Sequence, residues 1–258
     1  MELQTPDNPF KHALRKQQPQ VGLWSSLCSN WAAEIIALSG FDWILIDMEH
    51  SPNDLGSLLG QLQVYESVPS TPVVRPPWND PVIIKRILDL GVYNLLIPMV
   101  QTADDAAAAV RATRYPPNGI RGVSLNQRGN RFGRFKDYMT RAEEEICVIV
   151  QIETREALDR LEEIALVAGV DAVFFGPADL SASMGLLGQP GHPDVWAAID
   201  DGLARCQKIG VPVGILTGQE PDALRCLRAG FAFVAAGADT ALLARGADGL
   251  ATRMQEGL

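Results

Sequence analysis

Apolar runs of strand length recur along the chain, and each is followed by a segment whose apolar residues fall three and four positions apart. The runs are QVGLWSS (20–26), WILIDME (43–49), TPVVRPP (71–77), NLLIPMV (94–100), CVIVQIE (147–153), AVFFGPA (172–178), PVGILTG (212–218) and FVAAGAD (233–239). Helical spacing covers 30–39, 54–66, 81–90, 102–114, 155–167, 193–209, 221–229 and 240–255. Asn30, Asn53 or Asp54, Asp80 before Pro81, and Thr102 are placed as helix starts, where a short polar side chain can take an orphan backbone N–H. Gly40, Gly91, Gly169, Gly210 and Gly230 fall between a helix and the next strand, where a left-handed residue is wanted. Eight strand–helix units within 258 residues predict one α/β domain, 1–258, folded as a (β/α)8 TIM barrel. No G-x-G-x-x-G follows a strand, which removes the main support for a dinucleotide fold.

Two stretches break the alternation. Residues 115–145 form a basic, glycine-containing insertion after the fourth helix, and 186–192 form a turn-rich loop. Long loops in compact domains carry function more often than chance.

Composition narrows the partners. The chain is 47% hydrophobic and 21% charged, has no continuous apolar run of membrane-spanning length, and carries a formal charge of -9. That charge repels phosphodiester backbones, so neither nucleic acid nor a bilayer is expected as a partner. The start of the chain lacks the apolar stretch of a secretion signal, and Cys28, Cys147, Cys206 and Cys226 form no C-x-x-C pair. A cytoplasmic protein with reduced thiols is expected. The three histidines have no cysteine at ligand spacing, which argues against zinc.

Catalytic residues of this barrel come from the carboxyl ends of its strands. Those ends supply Trp24, Ser25, Asp47, Glu49, His50, Arg75, Gln151, Glu153, Asp179, Thr217 and Asp239. Glu153 and Asp179 lie on consecutive strand ends, where one hard divalent cation (Mg, Mn or Co) could bridge them. A general acid/base pair, or a rim ion pair with Arg75, fits the same spacing. His50 closes D-M-E-H and suits proton transfer near neutral pH. Arg75, a cation in an apolar strand, suits an enolate or carboxylate. None of the five lysines lies at a strand end, so carbon–carbon chemistry here would use a metal rather than a Schiff base.

D-M-E-H (47–50), V-V-R (73–75), L-L-I-P-M-V-Q (95–101), R-Y-P-P-N-G-I-R-G-V (114–123), V-Q-I-E-T (150–154) and G-P-A-D-L-S (176–181) together resemble the HpcH/HpaI aldolase family over nearly the whole chain. The resemblance implies a divalent-metal pyruvate aldolase cleaving a 4-hydroxy-2-keto acid of the 4-hydroxy-2-oxoheptane-1,7-dioate or 2-dehydro-3-deoxyglucarate type. Glu153 and Asp179 match the metal ligands, His50 the proton acceptor and Arg75 the transition-state stabiliser. Gln151 and the backbone of Ala178 and Asp179 match the pyruvate contacts. Asp89 matches a carboxylate that raises the basicity of the histidine, with Asp47 near enough to assist. A homo-hexamer with exchanged last helices is also implied. The run N-Q-R-G-N-R-F-G (126–133) departs from the heptanedioate branch toward the deoxyglucarate one. Trp24, Leu216 and the 124–134 loop are expected as walls for the aldehyde. A malyl- or citramalyl-coenzyme A lyase, or a keto-acid-binding barrel without catalysis, remains the alternative.

Overall fold

The computed structural model describes residues 4–258, in which the eight apolar runs close into a barrel of parallel strands in sequence order. The strands are β1 (Gln20–Ser25), β2 (Trp43–Asp47), β3 (Thr71–Arg75), β4 (Asn94–Ile97), β5 (Cys147–Ile152), β6 (Ala172–Phe175), β7 (Val213–Leu216) and β8 (Phe233–Ala238). The helices are α1 (Pro9–Arg15), α2 (Asn30–Ala37), α3 (Leu55–Val64), α4 (Pro81–Asp89), α5 (Ala103–Thr113), α6 (Tyr138–Glu145), α7 (Arg155–Asp159), α8 (Leu161–Ala165), α9 (Pro177–Ser183), α10 (Pro193–Ile209), α11 (Glu220–Ala229) and α12 (Asp239–Glu256).

Strand alternation sorts the side chains. Ile44, Ile46, Val74, Val148, Val150 and Ile152 pack outward under the helices, whereas Trp43, Leu45, Val73, Leu96, Ile149 and Phe174 fill the barrel interior. The same alternation carries the inward row up to Trp24, Asp47, Arg75 and Gln151 at the mouth. The interior accommodates large rings because small residues face them: a Cβ on Gly22 would lie 2.2 Å from the Trp43 ring.

Helix starts follow local chemistry. Asp54 with Ser57 and Thr102 with Asp105 form reciprocal capping boxes, and Asp80 caps α4 ahead of Pro81. Ser29, rather than Asn30, caps α2. Gly210 and Gly230 end α10 and α11 with φ of 75° and 100°.

Three features depart from the sequence expectation. The segment expected as one helix over 155–167 is broken at Arg160 into α7 and α8. The 115–145 insertion contains α6 and a 3₁₀ turn at Arg128–Asn130. A helix precedes the first strand: α1 inserts Phe10 against Trp43 and Phe233, with ring centroids 5.8 and 5.7 Å away. Asn8 caps α1, donates to the Asn94 side chain at 2.7 Å and accepts from Lys11 N. Lys11, itself buried, donates to the Ile146 carbonyl at 2.6 Å and pairs with Asp171. The helix plugs the barrel floor, the end opposite the strand carboxyl termini. No helix among the described residues is long and apolar enough to cross a membrane.

Candidate active site

Asp47 and Arg75 are partners in the β2–β3 register, so the fold sets their side chains next to each other at the mouth. Arg75 donates to both oxygens of Asp47, from Nε at 2.9 Å and Nη2 at 2.7 Å. Asp47 also accepts from Trp24 Nε1 at 3.2 Å and from the Glu49 and His50 N–H groups at 3.0 and 3.4 Å. Burial pushes the Asp47 carboxyl up, but the Arg75 bonds and charge outweigh it and hold the group below its ordinary value. Trp24 stacks on the guanidinium, 5.0 Å from ring centroid to Cζ. The remaining Arg75 nitrogen, Nη1, lies 2.9 Å from Glu49 Oε2. The fork is thus held in one orientation by two carboxylates and an indole face.

Beside it the negative charge is in surplus. Glu153, 2% exposed, accepts from Met99 N at 2.6 Å and from Gln151 Nε2 at 2.6 Å. Met99 holds a left-handed backbone, φ 53°, which is uncommon for a non-glycine residue and aims its N–H at the carboxylate. Burial pushes Glu153 up to about 7 against the Met99 bond, and the Glu49 and Asp179 charges add to the rise. Burial also raises Glu49, against the pull of Arg75. Gly176 permits the arrangement, since a Cβ there would sit 2.9 Å from Gln151 Nε2 and 3.0 Å from Glu153 Oε2. Asp179 stands exposed in the first turn of α9.

These donors suit a hard divalent cation. Glu49, Glu153 and Asp179 crowd a single guanidinium already committed to Asp47, and Gln151 Oε1 is buried without a hydrogen-bond partner. Among the described residues no three His, Cys, Asp or Glu side chains converge as a complete ligand set. A hard cation held by two carboxylates alone would keep positions open for small ligands.

His50 sits on the turn after β2 with its side chain 65% exposed and Nε2 3.8 Å from Glu49 Oε2. Asn53 Nδ2 and Ser51 Oγ both donate to the Asp47 carbonyl, which ties that turn down. Leu216 and Ala178 line a mouth cavity of about 600 Å³ with Thr217, Ala238 and Arg245. Trp24 is buried beneath the mouth, where its ring supports Arg75. Asp89 is not near His50 in this chain. It ends α4, which runs back toward the floor over nine residues, about 13 Å, and pairs there with the buried Arg121 at 2.9 Å. The 124–134 loop follows α5 and also lies at the floor, where Arg128 bonds the Leu90 carbonyl, so it forms no wall of this chain's own mouth. Met99 escaped the sequence reading, since a methionine in a left-handed conformation leaves no compositional trace. Gly176 was visible in G-P-A-D-L-S as a small residue at a strand end, but its close approach to Gln151 and Glu153 was not.

The profile of the family described as HpcH/HpaI aldolase/citrate lyase matches residues 20–246. A pyruvate aldolase of Rhizobium etli is 56% identical over 251 residues, covering 97% of this chain and 99% of its own length. A 4-hydroxy-2-oxo-heptane-1,7-dioate aldolase of Klebsiella pneumoniae is 56% identical over 248 residues, covering 96% and 94%. The solved structure of an HpcH/HpaI aldolase/citrate lyase family protein from Burkholderia cenocepacia superposes with a TM-score of 0.93 at 42% identity, covering 96% of this chain and 99% of that one. By the family match, the identities and the barrel, this chain belongs to the HpcH/HpaI aldolase/citrate lyase family.

Proposed function

We propose that the chain is a divalent-metal pyruvate aldolase that reversibly cleaves a 4-hydroxy-2-keto acid to pyruvate and an aldehyde. The observation that carries the reading is the pinned Arg75 fork beside the charge-rich group of Glu49, Glu153 and Asp179. Glu153 and Asp179 would hold the cation, Mg, Mn or Co, which when bound supplies Lewis acidity for the keto group. The backbone N–H groups of Ala178 and Asp179, in the first turn of α9, would bind the substrate carboxylate, and Gln151 would contact it by turning its amide N–H from Glu153 to the substrate. His50 accepts the proton of the C4 hydroxyl as the C3–C4 bond breaks; the bond's electron pair passes into the enolate of the pyruvate half, and a proton returned to C3 completes pyruvate. Arg75 faces the developing oxyanion with a charge whose direction Asp47 and Glu49 have already fixed. Residues 1–258 act as one catalytic unit.

The names of the Rhizobium and Klebsiella relatives support pyruvate as one product and a dicarboxylic keto acid as a substrate class. Large apolar side chains stand exposed on α2 (Trp31 at 81%, Ile35, Leu38) and on α12 (Leu242, Leu243, Leu250, Met254). Of α12 only Asp239 is buried, so the helix has an apolar face free to pack on a second copy, consistent with a homo-hexamer exchanging its last helix. A cytoplasmic location belongs to the same reading and rests on the four free cysteines, Cys28, Cys147, Cys206 and Cys226.

A lactate-dehydrogenase-coupled assay across 4-hydroxy-2-keto acids tests the function. Pyruvate release lost in chelator and restored by Mg, Mn or Co is expected. Full turnover in chelator removes the cation from the reading, and no pyruvate from any such acid removes the aldolase.

A further inference from the structure

The ring of His50 makes no hydrogen bond among the described residues that could aim it. Its side chain is 65% exposed, and Nε2 meets Glu49 Oε2 at 3.8 Å. The direction of the imidazole is therefore set by the backbone between Asp47 and Asn53, and whatever ties that turn belongs to the geometry of proton transfer. Two ties lie at the mouth, where the Asp47 carboxylate accepts from the Glu49 N–H at 3.0 Å and, more loosely, from the His50 N–H at 3.4 Å.

The others come from beneath. Asn53, 7% exposed, donates from Nδ2 to the Asp47 carbonyl at 2.8 Å and to Ser51 Oγ at 2.9 Å. It can do so with its amide turned one way only, because Oδ1 in the place of Nδ2 would set an acceptor against the Asp47 carbonyl. What turns it is Gln61, the seventh residue of α3, fully buried and about 9 Å along the helix from its start. Gln61 Nε2 donates to Asn53 Oδ1 at 2.7 Å, and Ser57 Oγ adds a second bond at 3.1 Å. The other end of the Gln61 amide is not provided for: Oε1 is buried without a hydrogen-bond partner among the described residues. An unpaired buried amide oxygen is unfavourable, and beside a 3.4 Å contact with the Ser57 carbonyl the bond to Asn53 is what the amide gains in return. A leucine would fill the same place with no orphan oxygen, so packing alone does not account for an amide there.

We propose that Gln61 is a positioning residue for proton transfer: through Asn53 it fixes the 47–53 turn, and with it the direction of His50. The proposal rests on the reading of His50 as the group that takes the C4 hydroxyl proton. Gln61 itself touches neither substrate nor cation. Its effect reaches the site through two hydrogen bonds in series, Gln61 to Asn53 and Asn53 to the Asp47 carbonyl. Misplacing a reacting group by about 1 Å costs on the order of 10²-fold in rate, and a turn tied from the mouth side alone gives His50 part of that freedom.

Gln61→Leu removes the donor together with the orphan oxygen, so the full chain should keep a Tm within a few degrees of the parent's. With saturating Mg, kcat for pyruvate release should fall at least fivefold while KM and the Mg requirement stay within twofold. The same change made in His50→Ala should lower the remaining rate less than twofold, since a residue that acts through His50 then has nothing left to position. Asn53→Ala removes the link itself and should show the same split, which keeps the test open if Gln61→Leu unfolds. Amide hydrogen exchange of residues 48–53, read by mass spectrometry without substrate, should quicken at least fivefold in either variant while β5 and β6 exchange as in the parent. An unchanged kcat overturns the proposal, and so does a loss of equal size with and without His50, which would place the effect on Arg75 or on the fold. Unchanged exchange at 48–53 overturns it as well, whichever substrate the chain takes. A normal rate in His50→Ala alone refutes instead the reading of His50 on which the proposal stands.

Discussion

Asp47→Asn separates the role of the Arg75 fork from that of everything around it. The carboxylate accepts five hydrogen bonds, three on Oδ1 (Arg75 Nε, Glu49 N, His50 N) and two on Oδ2 (Arg75 Nη2, Trp24 Nε1). Asparagine keeps one acceptor, so in either amide orientation at least two donors, one of them charged, face an NH₂. A lost bond to a charged group costs about 1.5–3 kcal/mol and a neutral one about 0.5–1.5, and breaking a buried ion pair costs about 3–5. Because Glu49 still neutralises part of Arg75, the lower end applies, about 3 kcal/mol, or roughly 6–12 °C in Tm for a chain of this size. Turnover should fall about 10²–10³-fold, the usual effect of losing one oriented donor at a developing oxyanion. The sign with pH is fixed as well. Asp47 is held below its ordinary 3.8, so its stabilisation is complete above that value and is lost as pH falls through the lower folded value. Parent and variant should therefore converge in stability below pH 3.8. Thermal unfolding at pH 7, urea unfolding from pH 7 to 3 and coupled pyruvate release at pH 7 read all three effects. A Tm within 2 °C of the parent together with unchanged turnover would refute the argument that Asp47 orients Arg75.

His50→Ala should lower the cleavage rate about 10²–10⁴-fold with pyruvate affinity nearly kept, while its 65% exposure leaves urea stability within about 0.5 kcal/mol; a normal rate assigns the proton elsewhere. Gly176→Ala forces a methyl group to 2.9 Å from Gln151 and should cost at least tenfold in activity and in divalent-cation affinity by calorimetry, with unchanged values contradicting the close approach. Leu216→Ala should change the ratio of long- to short-chain aldehydes accepted while pyruvate methyl-proton exchange, followed by NMR, stays within a few-fold; an unmoved ratio takes Leu216 out of the wall.

The barrel was legible because its signals are local. Apolar runs such as 43–49 and glycines such as Gly210 mark strands and stops without knowledge of partners. Asp47, Arg75, Gln151 and Glu153 could be placed at the mouth because alternation and the strand-end rule need only sequence position. The helix at 9–15 was missed since seven residues carry little periodicity, and its reason to fold is Phe10 meeting Trp43 and Phe233 across the chain. Asp89 came from the family resemblance rather than from strand position, and within this chain it and the 124–134 loop lie at the floor, because whatever ends a helix, or follows one before the next strand, belongs there. The pairing of Glu153 with Met99 was hidden for another reason, since it needs a backbone state that methionine rarely takes.

The floor plug also imposes an order of assembly on a chain made from one end. Phe10 leaves the ribosome 223 residues before Phe233, the difference of their positions, and its other ring partner, Trp43, belongs to the second strand. At about 5–20 residues per second the interval is roughly 10–45 s, during which α1 has only half of its aromatic seat. Helix α1, though made before every strand of the barrel, is thus among the last elements to dock, and its apolar surface stays open to chaperones or to a neighbouring nascent chain until the eighth strand closes the ring. Moving the α1 segment behind β8 by circular permutation would shorten that interval, and aggregation during translation should fall with it.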